Sequence, residues 1–154
     1  VALFTLKKLD EAEEQLNRAL TIDPAYTDAR FDLASVAADA GKWESAANQF
    51  KQVLTERPDY PKAQEHLSDV LVLWGDGLAK AGKDSEAVAL YRQALANRAS
   101  DVQLHGRLGM AFARMDRLDE SLLEFEAILR LDPNSGNAKQ AIEAIQARKK
   151  ATGK

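Results

Sequence analysis

The sequence contains no cysteine, which excludes a disulfide framework, a thiolate metal site and a cysteine nucleophile. Glycine and proline are also sparse, with 8 and 4 copies among 154 residues. Alanine and leucine dominate instead, and β-branched residues are scattered, so the composition favours helices. The absence of cysteine fits the cytoplasm slightly better than the periplasm and leaves the compartment open.

Long apolar runs and an excess of positive charge are lacking as well. The strongest run, Val70 to Trp74, is far shorter than the ~20 residues that a membrane helix needs. A formal net charge of -3 argues against nucleic acid and against anionic membrane surfaces as partners. At the start of the chain Lys7 and Lys8 follow the apolar stretch, which is the reverse of a signal peptide. We expect this start to be the cut end of a longer protein.

A separation of 34 residues recurs between similar side chains in both halves of the chain. It relates Ala12 to Ala46, Leu16 to Phe50, Pro24 to Pro58, Gly82 to Asp116, Ala87 to Ser121 and Tyr91 to Phe125. A fixed period in this range is typical of helix pairs that bury a continuous core only when they stack as an array. The sequence therefore predicts an all-α repeat fold with an extended binding surface rather than an enclosed catalytic pocket.

Apolar spacing and helix-ending residues predict where the helices lie. The predicted ranges are Val1–Leu6, Leu9–Ile22, Ala29–Ala40, Trp43–Glu56, Leu104–Met115, Leu118–Leu131 and Asn137–Arg148. Gly41 ends one of these helices because glycine tolerates the left-handed conformation, and Pro58 ends the next because proline cannot continue a helix. The last helix is polar enough to be a solvent-facing cap.

The third repeat breaks the period. Gly41 and Gly82 are 41 residues apart, so seven extra residues lie between Pro58 and Gly82. We predict one helix from Pro61 to about Ala81, two turns longer than its counterparts. Because seven residues are nearly two turns, its apolar face drifts by only about 20°.

The fourth repeat reads His105-x2-Leu108-Gly109-x2-Phe112, then Ser121-x3-Phe125, then Pro133. The other repeats keep parts of the same pattern. Together the four resemble the tetratricopeptide repeat, whose signature is W-x2-L-G-x2-Y, A-x3-F and P over 34 residues. The resemblance implies a right-handed α-solenoid of antiparallel helix pairs in one domain over residues 1–154. Its expected parts are a partial repeat (1–24), a repeat (25–58), a repeat with the insertion (59–99), a repeat (100–133) and a capping helix with its tail (134–154).

The resemblance also implies that the first helix of each pair lines a concave groove. The helix faces that would line it carry Asp28, Phe31, Asp32, Ser35, Asp39, Asp69, Val72, Leu73, Asp76, Lys80, Gln103, Arg107, Met110 and Arg114. The second and third repeats contribute mostly aspartate to this set, whereas the fourth repeat contributes arginine. We therefore expect the ligand to be a peptide or helix with a basic portion toward the second and third repeats and an acidic portion toward the fourth repeat. Solvated helix faces with no particular role remain the alternative.

No residue set for catalysis, cofactor binding or metal binding stands out. The segment Gly77–Asp84 nearly matches a phosphate-binding loop, but no strand precedes it and the repeat explains it as a turn. His66 and His105 lack the partners that a metal site or a catalytic triad requires. We expect a protein without enzymatic activity or cofactor.

Three functions remain open at this point. The first is a non-enzymatic scaffold that binds a protein or peptide. The second is an accessory segment that recruits substrate to a larger enzyme or promotes its oligomerisation. A homo-oligomer is the third, since Leu3, Phe4 and Leu6 would form an apolar edge at the truncated first repeat.

Overall fold

The computed structural model describes the backbone of residues 2–153 and the side chains of residues 7–153. Within this range the chain forms eight helices and no strand. They are α1 (Ala2–Ile22), α2 (Thr27–Asp39), α3 (Trp43–Glu56), α4 (Ala63–Lys80), α5 (Asp84–Leu95), α6 (Val102–Arg114), α7 (Leu118–Leu131) and α8 (Gly136–Thr152). The predicted all-α repeat fold is confirmed, and α3 and α7 have the predicted bounds.

The chain divides into two compact units, Val1–Trp74 and Gly75–Lys154. In the first unit α2 packs against both α1 and α3. In the second unit α6 packs against both α5 and α7, and α8 packs on α7. Helices α2 and α3 and the first part of α4 bury apolar side chains in the first unit, and α5 to α8 do so in the second. The largest fully buried side chains are Phe50, Val53 and Leu71 in the first unit, and Tyr91, Leu104, Leu108 and Phe112 in the second.

The turn inside each helix pair has the same backbone conformation. Gly41, Gly82 and Asp116 have φ angles of +72°, +75° and +59°. The next amide closes the turn by reaching back five residues, as when Lys42 N–H donates to the carbonyl oxygen of Ala37 at 2.8 Å. Lys83 and Arg117 donate in the same way to Leu78 and Phe112. Glycine and aspartate suit this turn because they adopt positive φ more readily than other residues.

The prediction of two separate helices in the partial first repeat (1–24) is wrong, since α1 runs without interruption from Ala2 to Ile22. The residue 34 positions before Gly41 is Lys7, which stands where the other pairs have their turn. Lysine favours the helix and strongly disfavours positive φ, so the helix continues through this position. The side chains of Leu3, Phe4 and Leu6, which were expected to form an apolar edge, lie outside the described residues.

The predicted start of the long helix at Pro61 is also wrong. Lys62 has a φ of +62°, a left-handed conformation that separates Pro61 from the helix beginning at Ala63. α4 has 18 residues, against 13 in both α2 and α6. It begins five residues after Pro58, whereas α2 begins three residues after Pro24. Five of the seven extra residues therefore lengthen the helix and two lengthen the connection before it.

Two glycines permit close helix crossings in the second unit. A Cβ atom built on Gly75 would lie 2.6 Å from Cε1 of Tyr91, and one built on Gly109 would lie 2.7 Å from Cε2 of Phe125. The Ser121 hydroxyl adds a buried hydrogen bond to the carbonyl oxygen of Gly109 at 2.7 Å. None of the described helices is both long and apolar enough to cross a membrane.

We predict that Gly75→Ala lowers the free energy of unfolding by about 1–3 kcal/mol, because the new methyl group overlaps the ring of Tyr91. That ring is buried and its hydroxyl is hydrogen-bonded, so it cannot move away freely. Gly77→Ala is the matched control in the same helix: nothing lies within 4 Å of its added Cβ. It should raise stability by up to about 1 kcal/mol. Urea unfolding compares the two variants, and equal effects would contradict the close crossing.

Candidate functional site

A cleft of about 440 Å³ in the second unit brings together five of the predicted groove residues. Its lining consists of Asp76, Ala79 and Lys80 from α4, Tyr91 from α5, and Arg107, Met110 and Arg114 from α6. The spacing of three and four residues along α4 and α6 places each set on one helix face. We call this site the α4–α6 cleft.

Asp76 is the centre of a hydrogen-bond network in this cleft. Its Oδ1 atom accepts hydrogen bonds from Nε of Arg107 at 2.9 Å and from the hydroxyl of Tyr91 at 2.7 Å. Its Oδ2 atom accepts a second bond from Arg107, from Nη2 at 3.3 Å. The paired geometry restrains the guanidinium more than a single contact would.

The network sets the protonation of its members. Burial alone would raise the pKa of Asp76, but the hydrogen bonds from Arg107 and Tyr91 outweigh it and lower this pKa below its ordinary value of 3.8. Burial and the hydrogen bond to Asp76 both raise the pKa of Tyr91. Asp76 is therefore a carboxylate and Tyr91 a neutral phenol at physiological pH.

Ion pairing changes the expected distribution of charge. Asp76 was assigned to an acidic end and Arg107 to a basic end, yet they form one ion pair. Arg114 likewise donates to Oδ1 of Asp84, from Nε at 2.9 Å and from Nη2 at 2.5 Å. These side chains therefore do not form separate acidic and basic regions. Within the cleft, Met110 presents an apolar side chain that is 57% exposed, and Lys80 is exposed beside it.

The predicted groove residues of the first unit are distributed differently. Asp28 accepts a hydrogen bond at 2.8 Å from the Tyr60 hydroxyl, and Arg57 approaches it to 3.8 Å. Burial, together with this hydrogen bond, raises the pKa of Tyr60 to about 12. Phe31 is half-buried, with ring centroids 5.0 Å from Tyr60 and 5.3 Å from His66. Part of this face therefore belongs to an aromatic cluster.

The remaining predicted residues lie mostly at the surface. Ser35 and Val72 are half-buried, and the Ser35 hydroxyl donates to the carbonyl oxygen of Phe31 at 3.0 Å. The exposed ones are Asp32, Asp39, Asp69, Leu73 and Gln103. Gln103 lies on α6 but does not line the α4–α6 cleft.

Both histidines contact neighbouring side chains or backbone within the fold. Nδ1 of His105 lies 2.7 Å from Oε2 of Glu124, and its Nε2 lies 3.3 Å from the carbonyl oxygen of Ala99. His66 packs in the aromatic cluster, 5.7 Å from the ring of Phe50.

Across the described residues, no group of three histidine, cysteine or acidic side chains is placed to hold a metal ion. The segment resembling a phosphate-binding loop is the end of α4 and the turn at Gly82.

Sequence reasoning missed the polar pairs that join one repeat to the next. They are Glu13–Lys42, Asp28–Tyr60, Asp76–Arg107, Asp84–Arg114, Asp116–Arg148 and Asp119–Lys149. Each pair spans 29 to 32 residues, slightly less than one repeat. A search for opposite charges at this separation would have found most of them.

We predict that Asp76→Asn lowers the free energy of unfolding by about 1 kcal/mol at pH 7, since the ion pair is partly exposed. The pKa of Asp76 is lowered in the folded chain, so its contribution is complete above 3.8 and is lost as the pH falls through the lowered pKa. The difference from the unsubstituted chain should therefore shrink below pH 3.8. Urea unfolding between pH 7 and pH 2.5 measures it, with the exposed Asp32→Asn as control. A difference that does not change with pH would contradict the network.

Comparison with known proteins identifies relatives over part of the chain. Relatives include subunit 7 of the anaphase-promoting complex from Homo sapiens, which is 30% identical over 103 residues. That match covers 67% of this chain but only 17% of the human protein. The corresponding Arabidopsis thaliana protein is 33% identical in an alignment of 134 residues, and the match covers 69% of this chain and 24% of the relative.

Solved structures show the same fold. YrrB, described as a TPR protein with an unusual peptide-binding site, has a TM-score of 0.58 and 21% identity. The match covers 97% of this chain and 73% of YrrB. MamA from Desulfovibrio magneticus has a TM-score of 0.54 and 20% identity over 92% of this chain and 76% of its own. Two sequence models described as tetratricopeptide repeat match residues 3–69 and 72–136. The chain belongs to the tetratricopeptide repeat family.

Proposed function

We propose that the chain is a non-enzymatic protein-interaction scaffold. It binds a peptide or helix in the concave groove typical of its family, through the first helices of the pairs. The observation that carries the proposal is the α4–α6 cleft, in which five residues chosen from the repeat pattern line one surface. The family is generally a non-catalytic interaction fold, which agrees with the structural roles of both histidines.

The cleft has the properties of a peptide site. Its two arginines, Arg107 and Arg114, are already restrained by Asp76 and Asp84, so these side chains lose little entropy on binding. Met110 offers an exposed, adaptable apolar contact in the middle of α6. Three cations and two carboxylates surround it, and this excess of positive charge favours a neutral or acidic portion of the ligand.

The first unit, taken by itself, carries exposed aspartates that suit a basic portion of a ligand. Asp32 and Asp39 are exposed on α2, seven residues apart, and therefore lie on one face of that helix. Asp28 shares this helix, but its charge is partly offset by Arg57. We assign the basic portion of the ligand to Asp32 and Asp39, with Asp69 of α4 as a further acidic contact.

A second candidate is an accessory segment of a larger protein. The relatives favour it because the chain spans 17% and 24% of their lengths. Both are described as subunit 7 of the anaphase-promoting complex. In this case the same surfaces would recruit a substrate or another subunit to a catalytic domain. The full reading frame separates the candidates, since an adjoining catalytic domain supports the accessory role and further repeats support the scaffold.

We predict that Met110→Glu weakens binding of a partner isolated by affinity capture at least about tenfold, since it places a charge in the centre of the contact. Leu123→Glu is the matched control. Leu123 is 59% exposed, close to the 57% of Met110, and lies on α7 of the same unit outside the cleft. Isothermal titration calorimetry measures both variants. Equal losses, or a loss only in Leu123→Glu, would exclude the α4–α6 cleft as the binding site.

We predict that Asp32→Lys weakens binding of the same partner about three- to tenfold at low salt, and less at high salt, because screening reduces surface electrostatics. Asp59→Lys makes the same charge change at an exposed position between α3 and α4 and should have little effect. Affinities of both variants are measured at two salt concentrations. An unchanged affinity of Asp32→Lys would rule out the acidic face of α2 as a contact.

A further inference from the structure

The only two tryptophans of the chain, Trp43 and Trp74, line one cleft of the first unit. This cleft has a volume of about 650 Å³, and none of its residues belongs to the predicted groove. Its other lining residues are Gly41, Lys42, Glu44, Ser45 and Asn48. We call it the tryptophan cleft. Each tryptophan is only half-buried.

The turn between α2 and α3 leaves this cleft open. Gly41 holds the left-handed conformation of the turn, and α3 begins two residues later at Trp43. A side chain at position 41 would contact the indole, since its Cβ would lie 3.8 Å from Cζ2 of Trp43. Glycine therefore makes no side-chain contact with this atom of the indole. Glu44 and Asn48 are four residues apart and point from one face of α3.

The charge of the cleft is negative. Lys42 is the one cation of its lining, and its Nζ atom lies 2.5 Å from Oε2 of Glu13, which offsets its charge. Glu44 is exposed, and no ion pair or hydrogen bond joins its side chain to the rest of the described chain. As an acidic residue in the first turn of α3, it also counters the positive end of the helix dipole, which would otherwise repel a cation.

We propose that the tryptophan cleft binds an arginine side chain of a partner protein. A guanidinium group stacks on aromatic faces, and tryptophan is the strongest aromatic partner for a cation. Its fork of N–H donors matches a carboxylate, here that of Glu44. The side-chain oxygens of Ser45 and Asn48 provide further acceptors. This proposal does not depend on the α4–α6 cleft.

Intrinsic tryptophan fluorescence tests the proposal, because both indoles of the chain lie in this cleft. The probe is a five-residue peptide with one central arginine and both ends blocked. The comparison peptide carries citrulline, which has nearly the same shape without the charge. We expect a saturable change in the emission of the chain, with an affinity for the arginine peptide at least about tenfold higher than for the citrulline peptide.

Glu44→Gln and Glu126→Gln separate a specific site from general attraction to an acidic chain. Each variant removes one negative charge, but Glu126 is an exposed residue of α7 outside the cleft. Glu44→Gln should weaken arginine-peptide binding about three- to tenfold, whereas Glu126→Gln should change it less than about twofold. Three results would overturn the proposal: no saturable change, equal affinities for the two peptides, or equal effects of the two substitutions.

Discussion

The described helix pairs depend on a small residue in the first helix, at the position where the aromatic ring of the second helix must fit. Tyr91 lies against Gly75 and Phe125 against Gly109 at distances that leave no room for a methyl group. In the first unit the equivalent positions are Ala34 and Phe50, and both are fully buried. Because the interior is close-packed, this fit determines how near the helices approach. It leaves the outward faces free to vary.

The same contact positions the candidate site in the second unit. The ring of Tyr91 packs on Gly75, and its hydroxyl bonds to Asp76, the next residue of α4. Asp76 in turn holds the guanidinium of Arg107 on α6. A buried packing contact, a phenol and an ion pair therefore form one continuous path from the core to the α4–α6 cleft. The lining of this cleft therefore rests directly on a close-packed part of the core.

The sequence predicted the features that repeat and missed those that depend on contacts between repeats. The period identified the turns because Gly41, Gly82 and Asp116 occupy one left-handed position. It failed where that position holds a lysine, since Lys7 continues the helix. The start of α4 was missed because it follows Lys62, which has a positive φ. Lysine rarely adopts this conformation, so the sequence does not indicate a break there.

The groove residues were chosen by helix face, and this was enough to bring five of them into one cleft. Their pairing was not predicted, because helix periodicity describes each helix alone. Asp76 and Arg107 are 31 residues apart, and whether they meet depends on how two helices pack. The tryptophan cleft was missed for a related reason, since large aromatic residues at helical spacing are usually buried in a core.

The central claim is that the faces of the first helices bind a partner. Hydrogen–deuterium exchange of the chain, with and without a partner obtained by affinity capture, tests it most directly. We expect the partner to slow exchange in the last turn of α4 and along α6 (Val102–Arg114), and to leave α7 (Leu118–Leu131) unchanged. Slower exchange confined to α7 and α8, with α6 unchanged, would contradict the account.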